Sequence, residues 1–138
     1  MWAFYAVLAA LFSALVAILS KLGLQGINSH FATAVRTTAV MVITWIFVWG
    51  MGVKGEQMQI SKRQLLYLVL SAVATGGAWI AYNKALQLGP ATRVASIDKM
   101  SIVVIAFLSW LVFHESMGVW SVAGVGLITA GTVMLVFS

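Results

Sequence analysis

The chain has 138 residues, of which 62% are hydrophobic and only 8% charged, with no cysteine and a formal net charge of +5. This composition is too apolar for a water-soluble domain and too sparsely charged for the basic face that nucleic-acid binding demands. The absence of cysteine excludes a disulfide framework, a thiolate nucleophile and a Cys-ligated metal.

A membrane-spanning helix takes about 20 apolar residues. Long apolar runs then predict spans at about residues 2–21, 30–49, 64–88, 91–113 and 118–137. The expected fold is an all-α integral membrane protein, with residues 1–138 forming a single domain of five transmembrane helices. No Lys or Arg stands between Met1 and the first apolar run, so that run reads as a retained span rather than a cleaved signal peptide. It ends at Lys21, where Gly23, Gly26 and Asn28 supply turn chemistry for a tight hairpin. Ser29 is the expected N-cap of the second span, which closes into Gly50, Gly52 and Gly55. The following segment carries Lys54 and Glu56 and is the main aqueous loop. Ser61 is expected to cap the third span, which stops at Gly89–Pro90 because proline cannot continue it. The fourth span runs from about Ala91 to Phe113, and the short loop with His114 and Glu115 leads to the fifth.

Trp2, Trp45, Trp49, Trp110 and Trp120 lie near span ends, as expected of headgroup anchors, whereas Trp79 sits well inside the third span. Small residues at four-residue spacing, Ala6/Ala10/Ala14, Ala74/Ala78, Gly77/Ala81 and Gly126/Ala130, suit close helix packing. The Gly76–Gly77 pair permits a bend or break in the third span.

An odd number of spans puts Lys54, Lys62 and Arg63 on one side of the membrane, and Lys21, Arg36, Lys84 and Arg93 toward the other. This basic bias is close to a tie, the pattern expected when copies insert both ways round. Depth says more. Asp98 and Lys99 lie roughly 10 Å into the fourth span at 1.5 Å per residue, and each ionised group there costs about 2.5–3.5 kcal/mol on insertion scales. On a structural reading, Asp98 pairs with Arg36, Lys84 or Lys99 and holds helices in register; on a functional one, Arg36, Lys84 and Lys99 face a wet cavity and attract a carboxylate or phosphate. Lys21 and Arg93 read as cations snorkelling at helix ends. Trp79, Tyr82 and Asn83 add an aromatic wall and an amide, suited either to a small amphipathic solute or to a hydrogen-bonded seam between helices. The expected role of Glu115 is capping or pairing at the interface. His30 and His114 have no partner acid at ligand spacing, and no P-loop, dinucleotide fingerprint or nucleophile constellation is present, so neither metal, cofactor nor enzymatic activity is expected.

The stretch Ala81 to Phe137 resembles the second part of an EamA-type domain of the drug/metabolite transporter superfamily. The matching features are Tyr82 with Ala85–Leu86, the Gly89–Pro90 turn, Glu115 in the loop, and the Gly124 to Gly131 pattern. Ser20–Lys21 and Arg36 extend the likeness to the front half. The resemblance implies a five-helix unit. Typical members carry two such units related by an inverted pseudo-twofold and move amino acids, sugars, nucleotide sugars and other metabolites. This chain has one unit, which makes a homodimer, antiparallel by preference, the natural way to rebuild the cavity, with Arg36, Trp79, Tyr82 and Asn83 of both copies lining it.

The expected function is that of a secondary transporter for a small metabolite in the cell (inner) membrane, working by alternating access. Its site would comprise Arg36, Trp79, Tyr82, Asn83, Lys84, Asp98 and Lys99. Its expected partners are a small-molecule substrate, the lipid bilayer and a second copy, and no nucleic acid. Alternatives are a small multidrug exporter, though the first span lacks the deep carboxylate that lipophilic cations want, a lipid-linked sugar translocase, and a non-transporting scaffold or regulatory subunit.

Overall fold

A computed structural model describes residues 1–53, 55, 59–114 and 116–138. Lys54, Glu56 and Glu115, with the roles expected of them, lie outside the described residues. The described chain holds helices and no strand: α1 (Trp2–Gly23), α2 (Ser29–Gly50), α3 (Lys62–Leu88), α4 (Ala91–Asp98), α5 (Ser101–Phe113) and α6 (Val119–Phe137). Among them are five stretches long and apolar enough to cross a membrane, with α4 and α5 sharing one from Ala91 to Phe113. Helices suit lipid because each satisfies its own backbone hydrogen bonds.

Local chemistry sets the helix ends. Asn28, not Ser29, caps α2: its side chain accepts from the N–H of His30 at 2.9 Å and of Phe31 at 3.4 Å, which makes Ser29 the first helical residue. The end of α2 is a Schellman motif, with the Val53 N–H on the Val48 carbonyl and the Gly52 N–H on the Trp49 carbonyl. Gly52 sits at φ 67°, the left-handed position that motif requires. Ser61 and Gln64 form a reciprocal capping box at the start of α3, each side chain bonded to the other's backbone N–H.

The helix α3 passes through Gly76–Gly77 without a break. The fourth span is long and apolar enough to cross a membrane from Ala91 to Phe113, as expected, but its helix is interrupted between Asp98 and Ser101. There the N–H groups of Met100, Ile102 and Val103 reach back three residues, to Ile97, Lys99 and Met100. The Lys99 N–H reaches both Ala95 and Ser96. This tightening to 3₁₀ geometry turns the faces of α5 relative to those of α4.

The described chain falls into two compact units, Met1–Ile18 with Leu88–Ser138, and Leu19–Gln87. In the first, α4 packs chiefly on α6, where the buried Thr132 hydroxyl donates to the Ser96 carbonyl at 3.2 Å and to Ile128 of its own helix at 2.9 Å. The second comprises the end of α1 with α2 and α3, joined through polar side chains. A Cβ at Gly77 or Gly126 would meet nothing within 4 Å among the described residues of its own unit.

Burial is inverted relative to a soluble protein. Of the described buried residues Ala17, Leu24 and Leu86 are apolar, while Ser29, Thr33, Asn83 and Thr132 are polar. Phe113, Leu127 and Trp120 stand 71%, 74% and 91% exposed. In water an outer surface like this drives aggregation, but against acyl chains it costs nothing.

Candidate functional site

The Leu19–Gln87 unit gathers its polar side chains where the end of α1, the start of α2 and the end of α3 meet. Two rungs join α2 to α3. In one, Asn83 Nδ2 donates to Thr33 Oγ1 at 2.7 Å, and that hydroxyl donates onward to the Ser29 carbonyl at 2.7 Å. In the other, the Arg36 guanidinium lies over the Trp79 ring, 4.9 Å from its centroid, and Arg36 Nη1 donates to Ser20 Oγ on α1 at 2.8 Å. Thr33 and Arg36 are three residues apart on α2, Asn83 and Trp79 four apart on α3. In helices of opposed direction these spacings stack the rungs one turn, about 5 Å, apart.

Two further contacts hold the same end. Lys21 Nζ donates to the Leu86 carbonyl at 2.8 Å, satisfying a last-turn group that α3 cannot pair by itself. Gln87 Nε2 donates to the Leu24 and Ile27 carbonyls at 3.3 and 2.9 Å, tying α3 to the hairpin. Lys21 therefore clamps a helix end, where the sequence suggested a snorkelling cation.

Two features of this cluster are incomplete. Asn83 is 2% exposed, and its Oδ1 is buried without a hydrogen-bond partner among the described residues, a costly arrangement where no water competes. Arg36 is partly buried, and among the described residues its charge meets a hydroxyl and an aromatic face but no carboxylate. A cation–π contact contributes about 0.5–2 kcal/mol, and a guanidinium bonded at one nitrogen keeps further donors for an anion.

Of the seven residues expected at the site, Arg36 and Trp79 are thus in direct contact and Asn83 is one turn away. Tyr82 is half-buried beside Asn83. Lys84 is exposed and donates to Gln87 Oε1 at 3.4 Å. Asp98 and Lys99 belong to the other unit and pair with each other at 3.8 Å, 53% and 56% exposed. On the structural reading Asp98 would link helices; the pair it forms joins adjacent residues of one span. Ser20, Thr33 and Gln87 were missed as partners. Gln87 follows Asn83 at helical spacing, which was a signal, but serines and threonines in spans also bond to their own helices, as Thr37 and Thr75 do here.

Five helical stretches long and apolar enough to cross a membrane define a multi-pass membrane protein. The EamA-like transporter family model matches residues 1–137. A relative from Sinorhizobium sp, described as an uncharacterized transporter in the cobO 3' region, is 41% identical over 134 residues, which are 97% of this chain and 95% of the relative. The chain belongs to the EamA-like transporter family, and this points to a membrane transporter rather than an enzyme. No solved structure matches the chain.

Proposed function

We propose that the chain is a secondary transporter of a small anionic metabolite in the cell (inner) membrane, working by alternating access as an antiparallel homodimer of five-helix units. The observation that carries this reading is the unfinished cluster on α2 and α3. Among the described residues, Arg36 holds a positive charge with no carboxylate beside it, and the buried Asn83 Oδ1 lacks a donor. A purely structural seam would be expected to close its own hydrogen bonds. Arg36 would take the solute's acid group, with Trp79, Tyr82, Asn83 and Lys84 around it. Support for two copies comes from the near-tie in basic residues across the membrane and from a relative of nearly equal length.

The test is solute-dependent thermal stabilisation of the purified protein, followed by uptake into proteoliposomes. A solute at 100 times its Kd adds about 2.7 kcal/mol to the folded state. Organic acids should stabilise the protein and enter the vesicles, and Arg36→Gln should abolish both effects. Silence across a broad metabolite panel would favour the scaffold reading.

A further inference from the structure

The cluster on α2 and α3 leaves two groups open, and they are of opposite kind. Arg36 keeps guanidinium N–H groups beyond the one on Ser20 Oγ, and these can only donate. Asn83 Oδ1, buried and without a partner among the described residues, can only accept. The neighbouring donors are committed: Asn83 Nδ2 to Thr33 Oγ1, the Thr33 hydroxyl to the Ser29 carbonyl, and Gln87 Nε2 to the Leu24 and Ile27 carbonyls. A solute whose acid group lies on Arg36 must therefore also bring Oδ1 a donor.

Charge decides which donor. At this end of the unit the described titratable side chains are Lys21, His30, Arg36, Tyr82 and Lys84, and none is a carboxylate. An ammonium brought to Asn83 would sit one turn from the Arg36 guanidinium with no described counter-charge, and the Trp79 face that could hold it already carries that guanidinium. A neutral donor escapes the repulsion, and a hydroxyl is the smallest one, which suits an acceptor as enclosed as Oδ1. Spacing limits the chain between the two groups. The rungs lie one turn, about 5 Å, apart, and a hydrogen bond of about 2.8 Å at each end spans most of that gap. We infer that the solute is a short hydroxy acid, its carboxylate on Arg36 and its hydroxyl, on the first or second carbon from the acid group, donating to Asn83 Oδ1. Asn83 is then the residue that tells this solute from the plain acid and the amino acid of the same length. The assignment rests on the transport reading, whose access cycle opens the enclosed rung to the solute.

The experiment uses the full chain in detergent near neutral pH and constant ionic strength, and reads apparent Kd from the melting temperature as each acid is titrated. The probes are two matched sets, glycolate with acetate and glycine, and lactate with propionate and alanine, together with hexanoate bare or hydroxylated at its far end. The hydroxy acid of each short set should bind about tenfold more tightly than the plain acid, the worth of one net hydrogen bond, and the amino acid should bind no better than the plain acid. The far hydroxyl on hexanoate should add nothing. In Asn83→Leu the short hydroxy acid should fall to the level of its plain partner. Equal binding within the short sets, a preference for the amino acid, a gain from the far hydroxyl, or an advantage that survives in Asn83→Leu would overturn the hydroxy-acid assignment and leave the anion-transport reading standing. No stabilisation by any of these acids or by the wider metabolite panel would remove both.

Discussion

Replacing Asn83 with leucine should leave the protein as stable as before, or more so, while abolishing transport. The Asn83 amide makes one described hydrogen bond, 2.7 Å to Thr33 Oγ1, and leaves Oδ1 buried and unpaired. Leucine shares asparagine's branching and its number of side-chain heavy atoms, though its methyl groups are bulkier. It removes a bond that inside membranes averages about 0.6 kcal/mol and relieves an unpaired buried acceptor costing about 1–3 kcal/mol. The Thr33 hydroxyl still donates to the Ser29 carbonyl, so no new orphan appears. The net expectation is a gain of about 0.5–2 kcal/mol. Thr33→Val has the opposite effect, because it strands Asn83 Nδ2 as well and costs about 1–3 kcal/mol. Unfolding in mixed micelles of rising SDS fraction measures both. If Asn83→Leu unfolds more easily by more than about 1 kcal/mol, Oδ1 has a partner in the membrane and the reasoning fails.

Arg36→Lys keeps the charge but loses the planar stack on Trp79, so it should cost about 0.5–2 kcal/mol in the same unfolding assay and weaken organic-acid binding, read from the melting shift. Gly52→Ala places a Cβ at φ 67° with nothing within 4 Å to clash, so backbone strain alone should destabilise it by about 1–2 kcal/mol. Gly50→Ala, at the helical end of α2, should be neutral or gain up to about 1 kcal/mol. Equal melting temperatures for the two alanine variants would refute the Schellman assignment.

What the residues determine by themselves is the solvent and the spans. Apolar runs of this length leave the chain nowhere but a bilayer, and there each helix must satisfy its own backbone. The cap at Ser61 was readable because it depends on neighbouring residues, although its reciprocal partner Gln64, three residues on, was not named, and Asn28 displaced Ser29 as a cap within one position. The depth of Arg36, Asn83 and Asp98 was equally plain, since it depends only on counting along a helix. Their partners were not. Thr33 and Ser20 become partners of Asn83 and Arg36 only when separate helices meet across 50 and 16 residues of chain. The interruption at Lys99 fell on a stretch without glycine or proline, beside the Thr132 hydroxyl that α6 lays on Ser96. Periodicity and composition report which groups are expensive in lipid; three-dimensional packing alone chooses which become paired and which stay open.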